Sequence, residues 1–250
     1  VAKPKFLYDN RLGDGLPVAS STAAGTFSVL NLLDWRPYTW WQPAALPATV
    51  TVDCGAVKAA DFALVYGHNL WTQSATLEIH GSTDNFAASD VLVATSAPAS
   101  DLPLLLTFNS ASFRYWRFKL TGAFAPSLAI VAIGAALVST VYMQDTFSPV
   151  DRTVEGQTNR NENGHPLGRA VYFETWKATL LLPSVSWSWA RNTFLPAWKS
   201  NLRGSPFGFC WDSDLFPEDV RLVQAGDELQ IPHRAGSFCD VQLDVQGIAP

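Results

Sequence analysis

The order of apolar and polar positions predicts strands for most of the chain. Ala48-Thr-Val-Thr-Val-Asp53 alternates and ends at Cys54-Gly55. Asp61–Tyr66 and Ala75–Gly81 follow, with Gly67-His-Asn69 turning the chain between them. In the latter, Leu77 and Ile79 face one way and Thr76, Glu78 and His80 the other, the pattern of a sheet with one wet face. Val91–Thr95 and Leu104–Phe108 read as short strands. Phe113-Arg-Tyr-Trp-Arg-Phe-Lys-Leu120 gives the strongest strand signal. Its alternation is imperfect, and one basic side chain is expected to lie across an aromatic ring. Leu128–Val138 is uncharged and strongly apolar. That run is far shorter than the roughly 20 residues a membrane helix needs, so it reads as one or two buried strands.

Upstream, residues 1–20 look like an extended lead-in, turn-rich at Asn10–Gly15, and Phe27–Arg36 reads as a short strand or turn. Beyond Tyr142 the pattern changes. Residues 145–168 are polar, centred on Thr158–His165, and read as a long exposed loop or linker. Val171–Leu182 resumes strand character. Val185–Asn201 suits one short helix, with Trp187, Arg191, Phe194 and Trp198 on one face and Pro196 shortening or kinking it. Pro206–Trp211, Val220–Val223 and Phe238–Val245 are further strands. The reading is a mainly β protein. An antiparallel jelly-roll β-sandwich occupies residues 1–144, and a smaller β or α+β domain occupies residues 169–250.

Composition reinforces this picture. Ten Trp and fifteen Phe stand beside a single Met, and aromatic residues suit pleated sheets. The formal charge of −5, without a basic run, argues against a nucleic-acid partner. The start of the chain lacks the apolar run of a signal peptide, and no membrane insertion is expected. Cys54, Cys210 and Cys239 are widely spaced. Cys210 and Cys239 could meet within the second half, but free buried thiols are the expectation.

Catalytic chemistry is hard to place. Gly-x-Ser-x-Gly is absent, and Ser82 sits in a strand–turn context rather than a nucleophile elbow. His68, His80, His165 and His233 lie far apart, without metal-site spacing. Glu78 and Glu174 lie on strands, where wet-face acids are ordinary. The expectation is a non-enzyme without metal or cofactor. The tryptophans are a different case, because they carry large rigid faces with one polar handle each. Trp35 and Trp41 are expected to fill the floor of the sandwich. Adjacent Trp40 and Trp41 cannot both point inward if extended. Trp40 and Trp71 therefore lead the candidates for a ligand or interface surface, with Trp35, Asn69 and Trp198 beside them.

Residues 18–138 resemble the discoidin, or coagulation-factor type C, module, a galactose-binding-like jelly roll. The likeness rests on an ordered set: Val18-Ala-Ser-Ser21, Asn31-Leu-Leu-Asp34, Thr39-Trp-Trp-Gln42, Val52-Asp-Cys-Gly55, Leu77–Asp84 and Phe113–Phe118. It departs from extracellular members in lacking their end-tying disulfide, and it transfers no sugar or lipid site by residue. Asp34 is the one position where it implies a structural cation ligand. The whole chain, through Asp34-Trp-Arg-Pro37, Phe207-Gly-Phe-Cys-Trp211 and Asp240–Gln246, is similar to tail-tip or baseplate proteins of long-tailed bacteriophages. That second resemblance implies a structural virion protein of the tail, assembled in the host cytoplasm. Its partners would be other tail proteins and copies of itself. The alternative is a carbohydrate-binding module protein that attaches to a surface glycan.

Overall fold

A computed structural model describes residues 2–143 and 148–248. In chain order the strands are β1 (Lys5–Leu7), β2 (Val18–Ala19), β3 (Ala48–His68), β4 (Ala75–Ser82), β5 (Val91–Ser96), β6 (Leu104–Gly122), β7 (Leu128–Gly134) and β8 (Leu137–Val138). They continue with β9 (Thr153–Arg160), β10 (Pro166–Ser186), β11 (Pro206–Cys210), β12 (Arg221–Gln230) and β13 (Phe238–Ile248). All their pairings are antiparallel.

The first unit is a sandwich in which two long strands each serve both layers. The start of β3 pairs with the end of β6, Ala48 opposite Leu120. After register shifts between Asp53 and Lys58 and between Ala60 and Phe62, the rest of β3 pairs with the start of β6, Val65 opposite Leu104. One layer runs β2-β3-β6-β4-β5, and β7 joins the other through the far half of β3. Between the layers lie Val50, Val52, Leu77, Ile79, Trp116, Phe118 and Leu120, packed against Ala63, Val65, Val131 and Ile133. The alternation of Leu77 and Ile79 is thus realised as core. Two basic residues of β6 lie over rings: Arg117, its guanidinium carbon 3.5 Å from the centroid of Phe86, and Arg114, 5.0 Å from that of Tyr115.

The second unit is a seven-stranded sheet ordered β8-β1-β11-β12-β13-β10-β9. The lead-in expected over residues 1–20 is therefore corrected: Lys5–Leu7 is a strand inside this sheet, between Leu137–Val138 and Pro206–Cys210. Phe6 is fully buried there, its ring 5.4 Å from each of Phe194 and Phe209. The sheet is covered by a continuous helical segment of short turns, α (Trp187–Trp189), π (Ala190–Phe194), α (Leu195–Ala197) and π (Trp198–Leu202). Ser186 caps its start, accepting from the Trp189 amide. Pro196 has no N–H to give, and widened turns flank it. They rotate the buried face onto Ala190, Phe194, Ala197, Trp198 and Leu202. Arg191 is left in solvent and Trp187 40% exposed, which corrects the single-face helix expected from the sequence.

The two units share apolar contacts. Leu7, Cys210 and Val220 pack against Phe62, Leu64, Leu105 and Ala132, and Leu222 against Tyr66, Ala129 and Ile130. That double burial explains the unbroken apolar run of β7, every residue of which is buried. Val131 and Ile133 serve the sandwich, while Ile130 and Ala132 serve the junction. The cysteines are free and buried, and burial pushes the Cys54 thiol up to about 11 and Cys210 up to about 12.

The stretch 145–168, expected as a polar loop or linker, is corrected as well. From Thr153 it forms a hairpin with Pro166–Thr175; residues 144–147 lie outside the described residues. Among the described residues, no helix is long and apolar enough to cross a membrane.

Candidate functional site

The strand order brings four loops to one end of the sandwich: 34–47, 69–74, 97–103 and 123–127. Hydrogen bonds lock each to the next. In the first, the turn Val29–Leu33 is capped by Ser28. The Asp34 carboxylate then accepts from the Arg36 amide at 2.9 Å and the Thr39 hydroxyl at 2.7 Å. Asp34, which the family resemblance offered as a cation ligand, thus spends both oxygens on its own turn. Among the described residues no group of three or more His, Cys, Asp or Glu is placed to hold a metal.

Beyond that turn the two adjacent indoles part. Trp41 is fully buried, its backbone pairs with Leu128, and its indole N–H donates to Thr22 Oγ1 at 3.2 Å. Trp40 points outward, 40% exposed and stacked on Phe27 at 5.8 Å. The Asn31 amide holds this bend by donating to the carbonyls of Thr26 and Trp40.

The loop 123–127 is joined to its neighbours on both sides. Gln42 donates to the Ala125 carbonyl at 3.4 Å. Asn69 Oδ1 accepts from the Ser127 amide at 2.7 Å. At Gly122, φ is +143°, and a Cβ would sit 2.5 Å from the Ser74 carbonyl. Glycine alone lets loops 69–74 and 123–127 approach this closely.

Asp101 then ties 97–103 to 69–74. Its carboxylate accepts from the amides of Trp71 at 2.9 Å and Thr72 at 3.2 Å, and from the Thr72 hydroxyl. Burial works to raise the Asp101 pKa, but those donors outweigh it and hold the carboxyl below the usual range. A carboxyl with a depressed folded pKa contributes stability above its unfolded value and loses it as pH falls through the folded one. The Trp71 loop should therefore loosen on acidification below the ordinary carboxylate range. Amide exchange at Trp71 and Thr72 checks this. Rates corrected for intrinsic pH dependence should rise in acid, and Asp101→Asn should abolish most of that rise.

On this scaffold the end displays apolar rings. Trp71 is 57% exposed, Tyr38 70% and Phe124 65%, beside Trp40 and the half-exposed Leu102. The rings stand on hydrogen-bonded turns rather than free loops, so little order has to be gained on contact. Beneath them His68 is buried. Its Nδ1 accepts from the Leu70 amide, and burial lowers its pKa.

The sequence candidates separate accordingly. Trp40 and Trp71 come to this end. Asn69 comes with them, as the clamp between two loops. Trp35 does not: it is partly buried, at φ +57°, against the junction of the units. Trp198 is not available as a surface either, because it lies 7% exposed in the core of the second unit. Tyr38 and Phe124 were missed. Phe124 carried a readable signal, an aromatic in a short loop bounded by Gly122 and Pro126.

The other chemistry considered from the sequence is structural. Ser82 caps its own loop, bonded to Asp84 and accepting from the Phe86 amide. Glu78 pairs with Lys119 at 2.8 Å and His80 at 3.1 Å. His80, expected on a wet face, is 8% exposed, with Asp90 at 2.6 Å on its other nitrogen. Glu174 lies in the other sheet, near Arg152.

No protein-family model matches the chain, and no curated protein matches it. Among solved structures, a family 32 carbohydrate-binding module of a Clostridium perfringens enzyme, in complex with GalNAc-β-1,3-galactose, is 17% identical. It covers 50% of this chain and 98% of its own, with a TM-score of 0.43. Chitosan-binding module 1 of a Paenibacillus chitosanase/glucanase is 18% identical over 50% of this chain and 98% of its own, TM-score 0.44. The family 32 module of C. perfringens NanJ, in complex with galactose, is 17% identical over 52% of this chain and 98% of its own, TM-score 0.42.

Proposed function

We propose that the aromatic loop end of the sandwich is a carbohydrate-contacting surface and that the protein acts by binding rather than catalysis. One observation carries this reading: Tyr38, Trp40, Trp71 and Phe124 are exposed on three neighbouring loops of one end, locked to one another by hydrogen bonds. Planar rings held in place present the flat apolar surface on which the C–H face of a pyranose stacks, and rigid aromatics give contact area at small entropic cost.

Titration of mono- and oligosaccharides, followed by tryptophan fluorescence and calorimetry, tests it. Trp71→Ala should weaken binding by about tenfold or more, a loss of about 1.4 kcal/mol, while leaving the melting temperature nearly unchanged. Sugar panels without a fluorescence or heat response would remove the reading.

A second reading, a structural component of a bacteriophage tail tip or baseplate, is supported by a different observation. The Thr153–Glu174 hairpin carries apolar side chains that nothing else in the described chain covers. Surfaces of that kind suit subunit contact. Mass spectrometry of purified tailed particles from a host of the gene tests it, and absence of the chain from them would refute it.

A further inference from the structure

The hairpin is unusual in having both edges and both faces open. β9 is the last strand of its sheet. β10 pairs with β13 only from Thr175 onward, opposite Ile248, so Pro166–Glu174 has β9 as its sole neighbour among the described residues. The contrast along β10 is abrupt: Thr175 and Trp176 are buried, whereas every residue from Pro166 to Glu174 is exposed. Leu167 is 70%, Val171 56%, Tyr172 63% and Phe173 56% exposed. Val171, Tyr172 and Phe173 are consecutive, and a bulge falls among them, so apolar side chains stand on both faces of the ribbon. A two-stranded ribbon is at best marginally stable in water by itself, and long apolar edges are what natural sheets avoid exposing.

We propose that the Thr153–Glu174 ribbon is a self-association element, and that its partner is the same ribbon of a second copy of this chain. This rests on the assembly reading above and is independent of the sugar reading. Three observations favour a copy. The first is charge: Arg160 and Arg169 stand against Glu155, Glu162 and Glu174. Such a mixed set can satisfy itself when two ribbons lie antiparallel, whereas a polyanion would meet an excess of carboxylates. The second is size. The ribbon offers about twenty residues, as many as one side of a standard interface of about 800 Å² per partner. The third is continuity. A strand added beside Pro166–Glu174 would continue the line of β13, whose pairing with β10 stops at Thr175. Pairing of identical edges about a twofold axis closes at two copies.

Sedimentation velocity of the full chain over a concentration series is the test, with amide exchange of residues 166–174 read in parallel. The expected result is a dimer with a dissociation constant on the order of micromolar. Ribbon exchange should slow as concentration rises. Val171→Lys and Phe173→Lys, each at a side chain already in solvent, should raise the dissociation constant by about tenfold or more, and leave sugar binding unchanged, as well as thermal melting at concentrations where parent and variant are both monomeric. A chain that stays monomeric to about 100 μM would overturn the proposal. So would lysine variants that dimerise like the parent, or a dimer whose ribbon exchange ignores concentration, since either result places the contact elsewhere or gives the ribbon to another protein.

Discussion

Trp116→Ala should lower the stability of the sandwich by about 3–5 kcal/mol, which is a large part of what a domain possesses. Trp116 is fully buried, opposite Val52 on β3 and Gly81 on β4, with the Phe113 ring edge-on at 5.3 Å. Rigid sheet surrounds the space its removal would leave, so the site cannot collapse to fill it. The apparent melting temperature should fall on the order of 10 °C. Trp116→Phe should cost far less. The indole N–H has no partner among the described residues, so its removal forfeits no hydrogen bond and relieves a buried donor. Denaturant melts of the two variants distinguish these cases. Equal losses would mean that the N–H, not the ring volume, is what matters there.

Phe6→Ala is the second large effect, and it should appear far from its place in the sequence. Phe6 packs on Phe194, Phe207 and Phe209, so truncation should destabilise the second unit by about 3–5 kcal/mol. The sandwich core, to which Phe6 does not belong, should lose much less. Hydrogen exchange separates the two: protection should fall in Pro206–Cys210 and in the helical segment 187–202, and persist in Ala75–Ser82. Uniform loss of protection would mean that the two units unfold as one cooperative body.

The sandwich was legible because its strands have one buried face each. Leu77 and Ile79 against Thr76 and Glu78 is a period-two signal that any single-sided sheet writes into its sequence. The Leu128–Val138 run was legible as buried strand from length alone, but the reason for its unbroken hydrophobicity, a second unit on its far side, was not. Lys5–Leu7 was opaque. Three residues carry no period, and their partners lie about 130 and about 200 positions away. The ribbon before Val171 was opaque for the opposite reason: open on both faces, it carries no alternation to read. At the candidate site the divergence of Trp40 and Trp41 followed from backbone geometry. Trp198 was misplaced because periodicity groups it with Phe194 on one face without telling whether that face meets solvent or a sheet; the π turns account for the departure of Trp187 and Arg191 from that face. The clamps by Asn69 and Asp101 depend on loops that meet only after the sheets have formed.

The placement of β1 also dictates an order of events during synthesis. Its residues leave the ribosome before those of every other described strand, yet one of the two strands that flank it, Pro206–Cys210, follows some two hundred residues later. Its other neighbour, Leu137–Val138, directly follows the last sandwich strand. Completion of the sandwich therefore brings Lys5–Leu7 and Leu137–Val138 together as a two-stranded seed, before most of the second sheet has been translated. Until residue 210 emerges, Phe6 waits on the surface of that seed as unclaimed apolar area. Between these two closures the nascent chain carries transiently exposed apolar surface of the kind that favours aggregation.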